Sequence, residues 1–329
     1  MNFKKRALNN KRVRKSIIFA KRVSFPGFGG VAIYDVFVLF IEALRDGVIA
    51  QRAAAISFNF FLALFPLILF FFTLIPIIPI EGFQDELMDL IMGFMPGNTN
   101  DSVTEVLDQI ITRPHSGVLS LGFVLALFFS TNGFKSTIIA FNSSVHVKNP
   151  RSFISLQITS LVLVIVFSIS TTIAVSAFIM EEYLLDYLVY HHFLVQGLSY
   201  YLLATSDWIV KIAMIFFMMS FLYYYAPNFN KRFRLISTGS TFATILILIV
   251  SYLFNIYISN FSRYNILYGS IGTLIIVLMW IYINSYILLI GFEINSSIVA
   301  AQQRDKAHWI FSKKKKKDSK LSEENNDNS

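Results

Sequence analysis

The residues of this chain that could carry chemistry are polar side chains placed within or beside long apolar stretches. Burying such a group away from water costs free energy unless it is paired, so its presence favours a role in binding or transport. Lysine and arginine can contact an anion, whereas a carboxylate can act as a countercharge or carry a proton. The candidates for substrate binding are Arg52, Asn59, Asn132, Lys135, Asn142, Asn284 and Glu293.

Each of these side chains also has a purely structural interpretation. Lys135 can extend its stem along apolar surface and place its ammonium among the lipid headgroups. Asparagines can hydrogen-bond across packed helices and hold them together. Pairing of Lys135 with Glu293 is a further alternative, and the sequence leaves all of them open.

Catalytic motifs are not evident in the sequence. The five histidines do not form HxH, HxxxH or HExxH spacings, and no P-loop or GxSxG motif occurs. Because the chain has no cysteine, it has no thiolate metal site either. We therefore expect no catalytic residue, no metal and no cofactor, and we interpret the chain as a non-enzyme.

Six apolar stretches are each about long enough to cross a bilayer as a helix. A helix needs about 20 apolar residues to span the hydrocarbon core, and continuous apolar runs lack the two-residue alternation of barrel strands. The sequence therefore predicts an all-α, polytopic membrane protein with six transmembrane helices. The predicted spans are residues 56–80, 118–141, 153–180, 208–225, 236–258 and 269–290.

The connections between these spans alternate in charge. Lysine and arginine are frequent in the N-terminal segment, in the second and fourth connections and in the C-terminal tail, whereas the first and third connections are acidic. Because cytoplasmic segments retain lysine and arginine, we expect both termini in the cytosol. The candidate residues then lie toward the cytosolic side, which predicts a polar vestibule open to that side.

The segments outside the spans divide into an arm, a helix and a tail. Residues 1–30 are basic and end in a stretch with proline and glycine, which predicts a flexible arm. Residues 301–329 are polybasic and then acidic, a composition that predicts disorder. Residues 31–300, between them, form the predicted membrane domain.

An amphipathic helix is predicted directly before the first span. It should lie in the cytosolic interface of the membrane or pack on the cytosolic ends of the bundle. Its predicted apolar face comprises Ile33, Phe37, Phe40, Leu44 and Val48, and its predicted polar face comprises Asp35, Glu42 and Asp46.

The net charge of +8 arises mainly from the two tails that flank the membrane domain. Lysine and arginine beside a membrane attract anionic lipid headgroups by about 1 kcal/mol each. The run Lys313 to Lys317 is therefore interpreted as a contact with anionic phospholipids of the bilayer. We expect no nucleic acid partner.

Five short segments have a distinctive order and spacing along the chain. They are Arg52–Pro66, Leu222–Pro227, Tyr268–Gly272, Trp280–Tyr282 and Gly291–Asn295. Together they resemble the YihY/BrkB family of bacterial inner-membrane proteins. The resemblance covers roughly residues 31–300 and implies a multi-pass protein of the bacterial cytoplasmic membrane. It also implies a link to virulence, and the family is sometimes labelled ribonuclease BN.

Three functions are compatible with these observations. The favoured hypothesis is a transporter-like permease or lipid translocator for an anionic substrate, with Arg52 and Lys135 as anion contacts and Glu293 as countercharge or proton carrier. The alternative is a non-transporting envelope scaffold or assembly protein. A membrane-associated ribonuclease is the remote alternative, because the sequence has no cluster of metal ligands.

The predicted topology can be tested in this cysteine-free chain by introducing single cysteines. Asn98→Cys and Ser199→Cys should react with an impermeant thiol reagent in intact cells, because they lie in external connections. Asn149→Cys and Asn230→Cys should react only after permeabilisation. Labelling of Asn149→Cys in intact cells would contradict the orientation.

Overall fold

The structure is a computed structural model, and it describes the backbone of most of the chain. The described residues are 18–19, 21, 23–24, 27–28, 30–45, 48–74, 116–144, 151–190, 196–228, 236–259 and 262–327. The first external connection, including the outer end of the first predicted span, lies outside these residues.

Every regular element in the described part of the chain is an α-helix, which confirms the all-α prediction. α1 precedes the membrane domain, and α2 to α7 each contain a segment long and apolar enough to cross a membrane. The helices are α1 (Ile33–Arg45), α2 (Ile49–Leu74), α3 (Ser116–Asn142), α4 (Phe153–Tyr190), α5 (Gln196–Tyr225), α6 (Thr238–Ser259) and α7 (Ser262–Asp327).

The six candidate membrane spans match the prediction in number and order. Their bounds are Ile49–Phe70, Gly117–Asn142, Phe153–Ala174, Trp208–Tyr225, Thr238–Ile258 and Gly272–Asp305.

The first span begins seven residues before the predicted start at residue 56. The prediction began the span at the apolar stretch that starts at residue 56. Alanine favours helix strongly, and the helix continues through Ala53, Ala54 and Ala55. The charge of Arg52 is tolerated inside the helix because it is paired, as described below.

The last helix also differs from the prediction. It does not end near residue 290 but continues to Asp327, through the segment predicted to be disordered. Neither glycine nor proline follows Gly291, so no residue of the tail imposes a break on the backbone.

The helix α1 packs against this continuation of α7. Its buried residues are Val36, Leu39 and Ala43, one position before the predicted apolar residues Phe37, Phe40 and Leu44, and Phe37 is 58% exposed. The predicted face was therefore wrong by one residue. The helix is apolar around most of its circumference, so its partner decides which line of side chains is buried.

The contact between the two helices forms a second, small hydrophobic cluster. Val36 and Leu39 of α1 meet Ile298 and Ala301 of α7. Gln302 of α7 also donates a hydrogen bond of 3.1 Å from Nε2 to the backbone carbonyl of Phe28. Phe28 and α1 thus pack against the last helix, and we call this the end of the bundle that carries the termini.

The six spanning helices form a ring. Each packs against its neighbour in sequence, and α7 packs against α2 to close the circle. At the end of the ring that carries the termini, the interior is filled by a hydrophobic core. Its largest fully buried side chains are Tyr223, Phe141 and Phe292.

Helices α6 and α7 approach most closely at two glycines. A Cβ atom on Gly239 would overlap the backbone oxygen of Gly291, and one on Gly291 would overlap the hydroxyl of Tyr223. Small residues at such crossings let helix backbones approach within a membrane. Asn295 uses this proximity, since its Oδ1 accepts a hydrogen bond of 2.7 Å from the backbone N–H of Gly239.

We expect Gly239→Ala to destabilise the protein, because the added methyl group meets backbone that cannot move aside. Overpacking of this kind costs about 1–3 kcal/mol. Gly117→Ala is the matched control, since a Cβ there meets nothing within 4 Å. Thermal unfolding of the purified variants in detergent should show a lower Tm for Gly239→Ala alone, and equal Tm values would contradict the close crossing.

Candidate functional site

A buried ion pair joins the first and last spanning helices. Arg52 of α2 places Nη1 3.5 Å from Oε1 of Glu293 on α7, and the two side chains are 15% and 3% exposed. A charge removed from water needs such a partner, because its lost hydration is otherwise uncompensated. The fold therefore brings these two candidate residues together.

Two serines lie beside the carboxylate, one just after α3 and one on α7. Ser144, just after α3, donates a hydrogen bond of 2.8 Å from Oγ to Oε2 of Glu293. Its Oγ is also 3.3 Å from Oγ of Ser296, one turn further along α7. The guanidinium of Arg52 donates to the backbone carbonyl of Ser143. We call Arg52, Ser144, Glu293 and Ser296 the polar cluster.

Two buried donors at this level have no hydrogen-bond partner among the residues that the structure describes. They are Nε of Arg52 and Oγ of Ser297, which lies one turn after Glu293 on α7. Most buried polar atoms in proteins are paired, so an unpaired one calls for an explanation. The polar cluster is therefore charge-paired but incompletely hydrogen-bonded.

Three aromatic side chains lie next to the polar cluster. The rings of Phe141 on α3 and Phe292 on α7 stack with centroids 4.1 Å apart and an interplanar angle of 9°. Tyr223 on α5 lies against both rings and donates a hydrogen bond of 2.7 Å from its hydroxyl to the carbonyl of Leu288. We call Phe141, Tyr223 and Phe292 the aromatic layer.

A cavity of about 390 Å³ lies inside the ring of helices. Side chains from five of the six spanning helices line it, and α6 contributes none. The lining is predominantly apolar and includes Ile56, Phe60, Ala63, Leu64, Phe134, Phe167, Met219, Leu222, Trp280 and Leu288.

The polar residues that line the cavity are largely satisfied by their own helices. Thr137 donates to the carbonyl of Gly133 at 3.1 Å, Ser285 donates to Ile281 at 2.8 Å, and Asn284 donates to Trp280 at 2.8 Å. The cavity is thus apolar in character, unlike the polar vestibule predicted around the candidate residues, of which Asn284 lines the cavity. The vestibule itself stays a prediction.

The polar cluster, the aromatic layer and the cavity follow one another along the bundle axis. Each helical residue advances about 1.5 Å, so the three levels lie within about two helical turns. On α3 and just after it, the three levels are represented by Thr137, Phe141 and Ser144. On α7, they are represented by Leu288, Phe292 and Glu293.

Comparisons with known proteins agree with this architecture. The family model described as Virulence factor BrkB matches residues 40–316. The chain belongs to the BrkB family. The segments on which its resemblance rests contribute Arg52, Tyr223, Phe292 and Glu293, so they meet at the polar cluster and the aromatic layer.

Relatives of this BrkB-family protein come from several bacteria. The ribonuclease-like protein YfkH of Bacillus subtilis (strain 168) is 31% identical over 248 residues, which cover 75% of this chain and 88% of that protein. A UPF0761 membrane protein of Histophilus somni (strain 2336) is 24% identical over 285 residues, covering 85% and 95%. No solved structure matches the chain. The relatives and the six apolar helices together identify a multi-pass bacterial membrane protein.

Lys135 lies apart from the polar cluster of this BrkB-family protein. Its Nζ is 5.1 Å from the ring centroid of Phe153, at the start of α4, and Glu293 pairs with Arg52 instead. The alternative of a Lys135–Glu293 pair was therefore wrong. Lys135 also does not belong to the cavity lining, whereas its neighbour Phe134 does.

The candidate asparagines are distributed over separate places. Asn59 donates a hydrogen bond of 2.8 Å to the carbonyl of Ala55 in its own helix, and Asn132 is half-buried on α3. Asn142 accepts a 3.3 Å hydrogen bond from the backbone N–H of Asn228. Among the candidate asparagines, Asn284 alone lines the cavity.

Sequence reasoning missed several residues at and near this site. Ser144 and Ser296 have no distinguishing pattern in the sequence, since serine is frequent near helix ends. Arg151 was considered for topology only, yet its guanidinium donates to the carbonyls of Tyr225, Ala226 and Pro227. These carbonyls follow the end of α5 and lack helical partners. Burial lowers the pKa of Arg151, and Tyr225 acts in the opposite direction.

The polar cluster makes a sharp prediction about stability. Arg52→Gln or Glu293→Gln alone leaves a buried charge without its partner, a change that costs about 3–5 kcal/mol. The double variant removes both charges, so we expect it to be more stable than either single variant. Thermal unfolding in detergent measures this coupling as a double-mutant cycle.

Lys135→Gln is the control for this cycle, because Lys135 lies over an aromatic ring rather than beside Glu293. Its Tm should stay near that of the wild type. Simple additivity of the Arg52 and Glu293 substitutions would contradict a stabilising pair.

Proposed function

We propose that this BrkB-family protein is a permease that translocates an anionic lipid through the ring of its six helices. The observation that carries the proposal is the apolar cavity of about 390 Å³, lined by five of the six spanning helices. Ligand sites are typically concave, largely apolar and about 300–1,000 Å³ in volume. The cavity fits that description and lies within the membrane domain.

The character of the lining favours an apolar chain as the occupant. Side chains such as Phe60, Leu64 and Phe167 make contact by dispersion and by exclusion of water. Thr137, Asn284 and Ser285 donate to carbonyls of their own helices, so few donors remain for a hydrophilic solute. A lipid acyl chain meets these requirements better than a small polar anion does.

The anionic part of the substrate is assigned to the end that carries the termini. Arg52 lies one helical turn from Ile56, which lines the cavity, and Nε of Arg52 is an unused donor. A guanidinium can bind a phosphate through two parallel hydrogen bonds. We assign Arg52 as the headgroup contact and Glu293 as its countercharge when no headgroup is bound.

Lys135 and the basic tails have a supporting role in this proposal. Lys135 reaches the level of Phe153, at the start of a span, where headgroups lie under the proposed orientation. The tails raise the local concentration of anionic phospholipids through their positive charge. Neither contact is a step of translocation.

A scaffold or assembly role is the second candidate. It is favoured by polar side chains that only hold helices together, such as Asn295, which bonds to Gly239 of α6 at 2.7 Å and to Ser237 at 2.9 Å. A scaffold needs the ring but not the cavity inside it. The two functions therefore respond differently when the cavity is filled.

A ribonuclease activity is the remote candidate, since the relative YfkH has a ribonuclease-like name. In the described part of the chain, no three histidine or acidic side chains are grouped as metal ligands. The proposal therefore assigns no catalytic residue. Incubating the purified protein with RNA, with and without Mg²⁺, tests this candidate directly.

Filling the cavity should stop translocation. Ala63 is 5% exposed and lines the cavity, so Ala63→Phe places a ring in the space that an acyl chain would occupy. Liposomes with fluorescent headgroup-labelled phosphatidylglycerol measure translocation as the labelled fraction that dithionite can reach. We expect at least a tenfold lower rate for Ala63→Phe.

The matched control is Ala54→Phe, the same substitution on an exposed position of the same helix. It should translocate like the wild type, and labelled phosphatidylcholine should move more slowly than phosphatidylglycerol. A wild-type protein that moves neither lipid would overturn the permease proposal. Full complementation of a deletion strain by Ala63→Phe would then favour the scaffold.

A further inference from the structure

We infer that the polar cluster and the aromatic layer form a gate that closes the central cavity toward the end of the bundle carrying both termini. The substance that the gate admits, an anionic lipid, is taken from the proposed function. The existence of the gate follows from the order of the three levels along the helices.

The aromatic layer is the physical barrier. Phe141, Tyr223 and Phe292 are all fully buried and come from three different helices of the ring. Along their helices, Phe141 and Phe292 lie between the cavity-lining residues Thr137 and Leu288 and the polar cluster. In the proposed gate, the rings hinder the approach of water and solutes from this end to Thr137, one turn beyond Phe141.

The polar cluster holds this barrier closed. The pair between Arg52 and Glu293 ties α2 to α7, and the hydrogen bond from Ser144 ties α3 to the same carboxylate. Opening the aromatic layer means moving Phe292 away from Phe141. Because Glu293 follows Phe292 directly, that movement of α7 also pulls Glu293 away from Ser144.

The polar cluster has unpaired donors through which a ligand could separate Arg52 from Glu293. A fully hydrogen-bonded buried network rigidifies the structure around it, but here Nε of Arg52 and Oγ of Ser297 are unpaired. An anionic group could accept hydrogen bonds from both Nε and a terminal nitrogen of Arg52. It would then bind Nε, a donor that Glu293 leaves unpaired. A ligand shifts a conformational equilibrium only through such a difference in binding.

Helix α7 connects the gate to the N-terminal helix α1. Its continuation carries Ile298 and Ala301, which pack against α1, directly after Ser296 of the polar cluster. A displacement of α1 is thus transmitted to the gate through one continuous helix. Helix α7 therefore belongs to the gate and also packs against α1.

Accessibility of a cysteine behind the gate tests the inference without any transport assay. Thr137→Cys would be the only thiol in the chain. A charged, impermeant methanethiosulfonate reagent is applied from the side of the termini, in membrane vesicles of that orientation. We expect Thr137→Cys to react at least tenfold more slowly than Gln303→Cys, whose position is exposed on the same side.

Adding Glu293→Gln should raise the labelling rate of Thr137→Cys at least tenfold, because it removes the charge that holds α7 to Arg52. The rate at Gln303→Cys should not change. Size-exclusion chromatography confirms that each variant is folded. An unchanged rate at Thr137→Cys in a folded Glu293→Gln variant would overturn the gate.

A disulfide across the cluster provides the opposite test and does not rely on a destabilised variant. The hydroxyl oxygens of Ser144 and Ser296 are 3.3 Å apart, so Ser144→Cys with Ser296→Cys should cross-link under copper phenanthroline. The cross-link should abolish phosphatidylglycerol translocation in liposomes, and reduction should restore it. Each single variant serves as control.

The outcomes separate the gate from the proposed function. Failure of the two cysteines to cross-link, or unchanged translocation in the cross-linked protein, would refute the gate while leaving the permease intact. Gated labelling of Thr137→Cys in a protein that moves no lipid would refute the permease while leaving the gate intact.

Discussion

The buried pair of Arg52 and Glu293 is the interaction on which the arrangement of this protein depends. Two opposite charges sit near one end of an apolar bundle, and each would be costly there without the other. Their pairing fixes the register of the first spanning helix against the last, which is what closes the ring. The long sequence separation between them makes this a contact that only the assembled bundle can form.

Close approach of helices supports the same end of the ring. Gly239 and Gly291 let α6 and α7 meet backbone to backbone, which brings Asn295 to the first turn of α6 as a hydrogen-bond acceptor. Arg151 likewise donates a hydrogen bond to a backbone carbonyl at the end of α5. Where no water is present, each helix end must find such a partner in a neighbouring helix.

These contacts do not fill the middle of the ring. The polar cluster and the aromatic layer lie at the end of the ring next to α1, whereas the middle contains an apolar cavity. The contrast is what suggests translocation rather than scaffolding, because a ring built for stability alone would fill its centre. Family membership is consistent with either role, since the relatives are named for a membrane location or a ribonuclease-like character.

The sequence by itself determined the all-α class, the six spans and the family, because these depend on local hydropathy and on short segments in order. It also singled out Arg52 and Glu293, since charges beside apolar runs are conspicuous. Only the tertiary structure decided that these two pair, that Lys135 does not join them, and that the cavity between the helices is apolar. Helix rotation and packing set those contacts, and hydropathy does not encode which faces of distant helices meet.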